Sequence, residues 1–200
     1  MSVASWLLER SLVYRIWQAP FVDAKLAPLR AGNELAGVRR VLDVGCGPGT
    51  NAALFEGLDY LGVDINARYI TDARRRHPGR RFEVADVTTF QVKEGRFDFI
   101  LVNSLLHHLD DTGVARLLAH LATLLSTDGH AHILELELPP GPSPARALAR
   151  LDRGKYARPR KRWREIFEAH FVTERFEPYA LRGLGVPLWR MIYFKGRARP

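Results

Sequence analysis

The feature that most constrains this chain is an apolar strand that runs directly into a glycine-rich turn, Val41-Leu42-Asp43-Val44-Gly45-Cys46-Gly47-Pro48-Gly49-Thr50. Glycines at alternate positions permit positive φ and let a ligand approach the backbone closely. The nearest general pattern is the dinucleotide fingerprint G-x-G-x-x-G, which opens a helix after the first strand of a parallel sheet. That fingerprint needs a third glycine where this chain has Thr50. The turn therefore predicts a ligand-binding α/β sheet but argues against a nicotinamide site.

Predicted strands and helices alternate along the middle of the chain. The patterning predicts strands over 38–44, 60–64, 81–84, 97–103 and 130–136, and helices over 51–57, 67–76 and from Asp110 or Asp111 to a stop at Asp128-Gly129. Strands separated by helices of about 10–15 residues are typical of parallel βαβ units. Two later strands, 172–181 and 187–195, are joined by Gly183-Leu184-Gly185 and are expected to pair antiparallel. The sequence thus predicts an α/β fold, a single Rossmann-like domain whose seven-stranded, mostly parallel sheet ends in an antiparallel C-terminal hairpin.

Composition narrows the class of protein further. Hydrophobic residues make up 46% of the chain and charged residues 26%, as in ordinary folded domains. The longest central stretch without charge, 99–109, is far shorter than the roughly 20 residues of a membrane span. Glu9 and Arg10 interrupt the apolar core that a signal peptide would need, so we expect a cytoplasmic protein. The single cysteine, Cys46, excludes an internal disulfide and a cysteine-built zinc site, and no metal is predicted.

Positive charge is concentrated in one segment. The formal net charge is +8, and residues 146–164 hold nine basic residues and a single acid, Asp152. Such a segment suits an anionic partner, whether RNA, anionic lipid or an anionic small molecule.

Four segments, in order, resemble the motifs of the class I S-adenosylmethionine-dependent methyltransferases, in particular their ubiquinone- and menaquinone-type small-molecule branch. They are 41–50, Leu61-Gly62-Val63-Asp64-Ile65, Phe82-Glu83-Val84-Ala85-Asp86-Val87, and Phe97–Asn103 followed by Leu106-His107-His108-Leu109. The resemblance spans 38–194 and includes the hairpin with which the family closes its sheet. It implies S-adenosylmethionine as the cofactor and S-adenosylhomocysteine as the product.

The resemblance also implies a division of one methyltransferase domain, 1–200. Its parts are an N-terminal helical lid over 1–31, a cofactor-binding core over 38–138, an acceptor and lid segment over 139–171, and the hairpin over 172–195. The lid begins with an amphipathic helix over the first nineteen residues, followed by a shorter helix at 22–29.

Ten residues are implied to contact the cofactor: Asp43, Gly45, Cys46, Gly47, Asp64, Ile65, Asp86, Val87, Asn103 and Tyr14. Asp43 and the glycine turn would hold the methionine part, where a carboxylate offsets the sulfonium and ammonium charges. Asp64 would accept both ribose hydroxyls in charge-assisted bonds worth ~1.5–3 kcal/mol each. Asp86 and the Val87 N–H would meet the adenine, and Asn103 the ammonium.

The catalytic and acceptor residues are predicted from the second half of the chain. His107 follows the fourth strand by one turn and is predicted to act as a general base, because histidine titrates in the useful range. The alternative is that the histidine pair caps a turn or packs against the cofactor. Arg153, Tyr156 and His108 are predicted to bind the acceptor, since the segment from Asp152 resembles an Asp-Arg-Gly-x-Tyr element of small bacterial methyltransferases. The alternative there is a solvated basic helix in which Asp152 pairs with an arginine.

The function expected from these features is methylation of an oxygen or nitrogen atom of a small-molecule acceptor that is anionic or linked to a lipid or glycan. A first alternative is RNA methylation, in which the basic segment contacts phosphates. The fourth strand ends in Asn103-Ser104-Leu105-Leu106 rather than an Asn-Pro-Pro-Tyr type tetrapeptide, which argues against nucleic acid as the partner. A second alternative is a module that binds S-adenosylmethionine without catalysis.

Overall fold

The computed structural model describes residues 21–32, 34–91, 95–152 and 154–199. Two residues predicted to line the site, Tyr14 and Arg153, lie outside this set, as does the helix predicted over the first nineteen residues. The chain divides into two compact units, 1–35 and 36–200. The first unit contains helix α1, Val22–Ala31, where the sequence predicts its second helix.

The second unit is built on one sheet of seven strands. They are β1 Arg40–Val44, β2 Asp59–Asp64, β3 Arg81–Val84, β4 Phe97–Asn103, β5 Leu125–Leu136, β6 Phe171–Gly183 and β7 Val186–Ala198, in the spatial order β3-β2-β1-β4-β5-β7-β6. Strands β1 to β5 are parallel to one another, and β7 is antiparallel to both β5 and β6. The predicted fold class and the antiparallel hairpin are therefore confirmed.

Four helices belong to this unit as described. They are α2 Ala67–Arg76, α3 Asp111–Leu124, α4 Pro144–Leu151 and α5 Arg160–His170, and two short 3-10 turns lie at Ala52–Phe55 and Leu106–His108. None of the helices in the described part of the chain is long and apolar enough to cross a membrane.

The core explains why the sequences of the parallel strands are continuous apolar runs. Residues Phe99 to Val102 of β4 are fully buried, as expected of a central strand covered on both faces. Helix α3 packs Val114, Leu117, Leu118 and Leu121 into the same core. Its N-cap is Asp110, whose side chain accepts a hydrogen bond from Gly113 N at 2.8 Å. The prediction of this helix and of its start is confirmed.

The end of helix α3 was predicted wrongly. The helix ends at Leu124 and β5 begins at Leu125, opposite Phe97, rather than after Asp128-Gly129. Gly129 does not stop a helix. A Cβ at this position would lie 2.5 Å from the Phe97 carbonyl oxygen, so the glycine lets β5 pass close to the backbone of β4.

The strand registers bring the candidate site residues to one edge of the sheet. Val44 of β1 lies opposite both Val63 of β2 and Val102 of β4, so these three strands end together. The strand order reverses between β1 and β4, and ligands of open α/β sheets bind in the crevice at such a point. We call this the carboxyl edge, and the opposite end of the parallel strands the amino edge.

Candidate active site

The glycine-rich turn leaves β1 at the carboxyl edge and folds over the end of β2. The backbone N–H groups of Gly45 and Cys46 both donate to the Val63 carbonyl, at 2.8 and 3.1 Å. Gly47, with φ of +54°, donates its N–H to Oδ2 of Asp64 at 2.9 Å. The turn therefore directs its amides at β2 rather than at a bound phosphate, which agrees with the prediction against a nicotinamide site.

Cys46 supports this turn from beneath. Its side chain is buried, and burial raises the pKa of the thiol. A Cβ added at Gly62 would lie 2.9 Å from its Sγ, so the thiol packs against β2. The predicted contact between Cys46 and the cofactor does not fit this position, because its thiol and its N–H are both directed into the protein.

Asp64 occupies the end of β2, half-buried beside the turn. Its Oδ2 accepts the Gly47 N–H, and its Oδ1 accepts the Asn66 N–H at 2.8 Å. Each carboxylate oxygen has a second lone pair, so the side chain can still accept ligand hydroxyls. The neighbouring Ile65 is 72% exposed, an unusual position for a large apolar side chain beside a polar crevice. Both residues lie at the carboxyl edge, and their contacts with the ribose and the adenine stay predictions.

Asp86 and Val87 follow β3 at the same edge. The exposed Asp86 carboxylate accepts hydrogen bonds from the hydroxyl and the N–H of Thr88, at 2.7 and 2.9 Å. These bonds lower the pKa of Asp86. Asp86 is therefore a charged acceptor held in a fixed orientation.

Asp43 is enclosed completely, with no exposed surface. Its carboxylate accepts a hydrogen bond from the Tyr60 hydroxyl at 2.8 Å and from the Asn51 amide at 3.4 Å. Burial raises the pKa of Asp43 to about 6, although the bonds from Tyr60 and Asn51 partly oppose this. The predicted direct contact of Asp43 with the cofactor is thus inconsistent with the structure, because its oxygens face Tyr60 and Asn51.

Asn51 connects Asp43 to the end of β4. The Nδ2 of Asn103 donates to Oδ1 of Asn51 at 3.0 Å. The Oδ1 of Asn103 is buried and has no hydrogen-bond partner among the described residues. A buried acceptor without a donor costs about 1–3 kcal/mol, so this atom is suited to a ligand donor. The next residue, Ser104, has φ of +54°, a strained backbone of the kind found at ligand sites.

His107 lies in the 3-10 turn that follows β4 and is buried. Its Nδ1 is 2.5 Å from Oε1 of Glu135, and its Nε2 is 3.1 Å from Oδ1 of Asp152. Glu135 is itself fully buried and also accepts the N–H groups of Leu106 and Leu136. The histidine is therefore held between two carboxylates.

This pairing decides the charge of His107. Burial lowers the pKa of the imidazole, but Glu135 and Asp152 outweigh burial and raise it to about 9. A general base needs a free lone pair at the working pH, and both ring nitrogens of His107 carry protons directed at carboxylates. The predicted role of His107 as a general base does not fit this arrangement. The Asp152 carboxylate faces His107, and the alternative in which it pairs with an arginine stays a prediction.

The segment after helix α4 packs directly on His107. Tyr156 N donates to the His107 carbonyl at 3.0 Å, and a Cβ at Gly154 would overlap Cδ2 of the imidazole. The exposed His108 ring lies with its centroid 4.3 Å from that of His107. The structure thus brings together His107, His108 and Tyr156, three of the residues predicted for catalysis and acceptor binding.

Arg158 ties this segment to the core. It is 6% exposed, its Nε donates to Asp111 at 2.7 Å, and its Nη2 donates to the Leu109 carbonyl at 2.8 Å. Its guanidinium also stacks over Trp163, 4.8 Å from the ring centroid. A residue that appears from sequence to be one cation of a solvated basic segment is therefore a buried structural link.

Sequence reasoning missed four side chains of the site: Glu135, Asn51, Tyr60 and Arg158. A signal existed for one of them. Glu135 is an acid within the otherwise apolar strand segment Ile133-Leu134-Glu135-Leu136, and such a residue is almost never fully buried unless it is paired.

The fold and the carboxyl-edge site define a class I methyltransferase, and comparison with known proteins identifies the family. Residues 14–183 match the methyltransferase domain family. The chain belongs to that family and so to the class I S-adenosylmethionine-dependent methyltransferases. Membership of the ubiquinone- and menaquinone-type branch stays a prediction.

Individual relatives agree with this assignment. The trans-aconitate 2-methyltransferase of Methylobacterium nodulans is 36% identical over 116 residues, which is 54% of this chain and 44% of that enzyme. The chain thus spans about half the length of the curated relatives it matches. A protein of Pyrococcus horikoshii shares the fold with a TM-score of 0.71 and 18% identity, over 88% of this chain and 89% of its own. Magnesium protoporphyrin IX methyltransferase of Synechocystis, with S-adenosylhomocysteine bound, has a TM-score of 0.67 and 22% identity over 92% and 85%.

Proposed function

We propose that this protein transfers the methyl group of S-adenosylmethionine to an oxygen atom of a small anionic acceptor. The observation that carries the proposal is the pair of acceptors at the carboxyl edge, the Asp64 carboxylate and the unpartnered Oδ1 of Asn103. S-adenosylmethionine presents two ribose hydroxyls and an ammonium, which are donors for these two groups. The residues present therefore fit the cofactor.

Each of these residues binds a different part of the cofactor. Asp64 orients the ribose, because the N–H groups of Gly47 and Asn66 already hold its carboxylate in place. Ile65 supplies an apolar surface for the adenine, and Asp86 an acceptor for its amino group. The Synechocystis relative holds S-adenosylhomocysteine on the same fold, which supports this assignment.

Catalysis follows from positioning. When bound, S-adenosylmethionine supplies a methyl carbon that its sulfonium has already activated for displacement. Holding the acceptor oxygen in line with that carbon supplies much of the rate. An acceptor that is already a carboxylate at neutral pH has no proton to lose, so no free base is required. This agrees with a cationic His107 and favours oxygen over nitrogen as the methylated atom.

A cationic cleft supports an anionic acceptor. It has a volume of about 630 Å³, begins just past the carboxyl end of β5, and is lined by Glu137, Pro140, Pro159, Arg160, Lys161, Arg164 and Arg190. Glu137 offsets part of the charge, since Arg160 lies 3.1 Å from its carboxylate and Arg190 3.9 Å. Arg164 also pairs with Glu168, so four cations face two carboxylates, and two positive charges remain for the anionic groups of an acceptor. The relatives named trans-aconitate 2-methyltransferase act on a small molecule that carries three carboxylates, which agrees with an anionic acceptor.

The alternative of RNA methylation gains no support from the basic segment. Arg158 is buried, and Arg162 pairs with both Asp111 and Glu165. Arg164 pairs with Glu168. These pairs interrupt the continuous row of unneutralised cations that a phosphate backbone would follow.

Methyl transfer is tested directly with methyl-labelled S-adenosylmethionine. The purified protein is incubated with a panel of small di- and tricarboxylates, including trans-aconitate, and with fractionated bacterial lysate, beside an Asp64→Ala control. We expect label in the small-molecule fraction as an ester that alkali hydrolyses. Label released by RNase would replace the proposal with RNA methylation. Cofactor binding without label in any fraction would show a binding module instead.

The cleft is tested by comparing two arginines of strand β7. Arg190 lines the carboxyl-edge cleft, whereas Arg197 lines a second cleft of about 390 Å³ at the amino edge, with Arg96 and Arg199. We expect Arg190→Gln to raise the KM for the acceptor about tenfold, the loss of one charge-assisted bond, with cofactor affinity unchanged. Arg197→Gln should change neither. Equal effects of the two substitutions would show that the acceptor responds only to overall charge.

A further inference from the structure

Three side chains beside the active site have the chemistry and spacing of metal ligands. His107, His108 and Asp152 each offer one donor atom, and these atoms all lie within 4.8 Å of one another. They come from two separate segments, the 3-10 turn after β4 and the end of helix α4. Two of the three, His107 and Asp152, have almost no exposed side-chain surface.

The distances are close to those that a metal ion requires. Nε2 of His107 and Oδ1 of Asp152 are 3.1 Å apart. Zinc bonds of about 2.0–2.2 Å in a tetrahedron place neighbouring ligand atoms roughly 3.3 Å apart. An ion could therefore replace the shared proton with little movement of either side chain. Because His108 is exposed, the site has an entry path from solvent.

An independent observation supports the same reading. Nδ1 of His107 faces the buried Glu135 at 2.5 Å, and Glu135 is fixed by the Leu106 and Leu136 N–H groups. Histidines that bind metals commonly donate their other ring N–H to a carboxylate, which fixes the tautomer and aims the free nitrogen at the ion. Here Glu135 aims Nε2 at Asp152.

We propose that His107, His108 and Asp152 form a binding site for a divalent transition metal ion such as Zn²⁺. Two imidazoles and one carboxylate are a donor set that suits zinc, cobalt, nickel or ferrous iron. Three protein ligands leave a fourth position for water or an oxygen of a small ligand. The proposal revises the expectation that no metal binds, and it stands whether or not the proposed acceptor is correct.

The chain contains a matched control pair on the surface of the sheet. His130 also faces a carboxylate, with Nε2 3.1 Å from Oε1 of Glu174. Lys195 and Arg197 contact the same carboxylate, at 3.5 and 2.7 Å, so this pair sits among positive charges that repel a metal ion. We expect no metal binding there.

The test is calorimetric titration of the purified protein with Zn²⁺, together with the visible absorption of the Co²⁺-loaded protein. We expect one equivalent to bind in the wild type, and a four-coordinate Co²⁺ spectrum. His108→Gln and Asp152→Asn should each weaken binding by about 10–100-fold, while His130→Gln binds as the wild type does. His108 is exposed, so its substitution leaves the fold intact, and thermal melting verifies this.

Two kinds of result would overturn the proposed metal site. No binding by the wild type overturns the proposal. Binding that survives both His108→Gln and Asp152→Asn, or that falls equally in His130→Gln, also overturns it and assigns the metal to other surface groups.

Discussion

The two halves of the carboxyl edge are constructed differently. The cofactor half consists of β1 to β3 and their loops. Its contacting residues are close in sequence: Gly47 of the glycine turn and Asp64, whose carboxylate it contacts, are 17 positions apart. In the acceptor half, around the ends of β4 and β5, the pairs are distant: His107 and Asp152 are 45 positions apart, and Arg158 and Asp111 47. The first half relies mainly on backbone amides, the half-buried Asp64 and the exposed Asp86, whereas the second relies on buried charged side chains.

This difference has an energetic consequence. Removing Asp64 or Asp86 from the cofactor half takes away the bonds that we expect to the ligand but leaves no buried charge unpaired. Removing one partner in the acceptor half leaves an uncompensated charge in the interior, which is strongly destabilising. Except at the buried Asp43, substitutions in the cofactor half should therefore change cofactor binding. Substitutions in the acceptor half should change stability and acceptor recognition.

The largest expected effect tests the cofactor half. Asp64→Ala removes two charge-assisted bonds to the ribose, each worth at least ~1.5 kcal/mol. We expect the dissociation constant for S-adenosylmethionine to rise at least tenfold and, if both bonds contribute fully, about a hundredfold. Calorimetric titration measures it.

The control for this prediction is Asp72→Ala. Asp72 is an acid on helix α2 that pairs with Arg75 at the surface. It should bind the cofactor as the wild type does. Unchanged affinity in Asp64→Ala would remove the ribose assignment.

The next effect concerns the buried acid of the cofactor half, Asp43. It is the dependence of protein stability on pH that this side chain causes. Burial raises its pKa from 3.8 to about 6. The folded state therefore binds more protons than the unfolded state between about pH 4 and 6, so this group's stabilising contribution is complete below pH 4 and is lost as the pH rises through 6.

Asp43→Asn should abolish that contribution. Relative to the wild type, we expect the variant to gain about 2–3 kcal/mol of stability between pH 4 and pH 7. Urea denaturation at both pH values measures this difference. A difference between the two proteins that does not vary with pH would mean that Asp43 titrates normally.

The smallest effect tests the acceptor half through packing alone. Gly154→Ala places a Cβ that overlaps the His107 ring, so the segment must shift. We expect a loss of about 1–3 kcal/mol and a fall in melting temperature of about 2–12 °C. Cofactor affinity should stay near normal while the KM for the acceptor rises.

Gly113→Ala is the matched substitution, because its Cβ meets nothing nearer than 3.3 Å. It should melt close to the wild type. A Gly154→Ala protein that weakened cofactor binding as much as acceptor binding would show that the two halves do not act separately.

Most of the fold was predictable because local patterns determine it. The bounds of α2, β3 and β4 agree with the prediction at both ends. The junction between α3 and β5 was not predictable, because Gly129 acts there through its distance from the Phe97 carbonyl. A glycine that ends a helix and one that lets two strands approach look alike in sequence.

The positions of the residues that we expect to bind the cofactor were predictable to a similar extent. Asp64, Ile65, Asp86 and Val87 directly end or follow strands, and parallel strands end at one edge, so their positions follow from the strand assignment. The role of Asp43 did not follow, since its enclosure depends on Tyr60 and Asn51 from other elements.

By itself, the sequence determined the order of strands and helices, the glycine turn and the acids at the strand ends. These depend on periodicity and on the backbone preferences of neighbouring residues. Only the tertiary structure decided that His107 lies between Glu135 and Asp152, which raise its pKa to about 9, and that Arg158 is buried. The physical reason is that the charge of an ionisable side chain depends on its burial and on its partners. Those partners come from elements that only the folded sheet brings together.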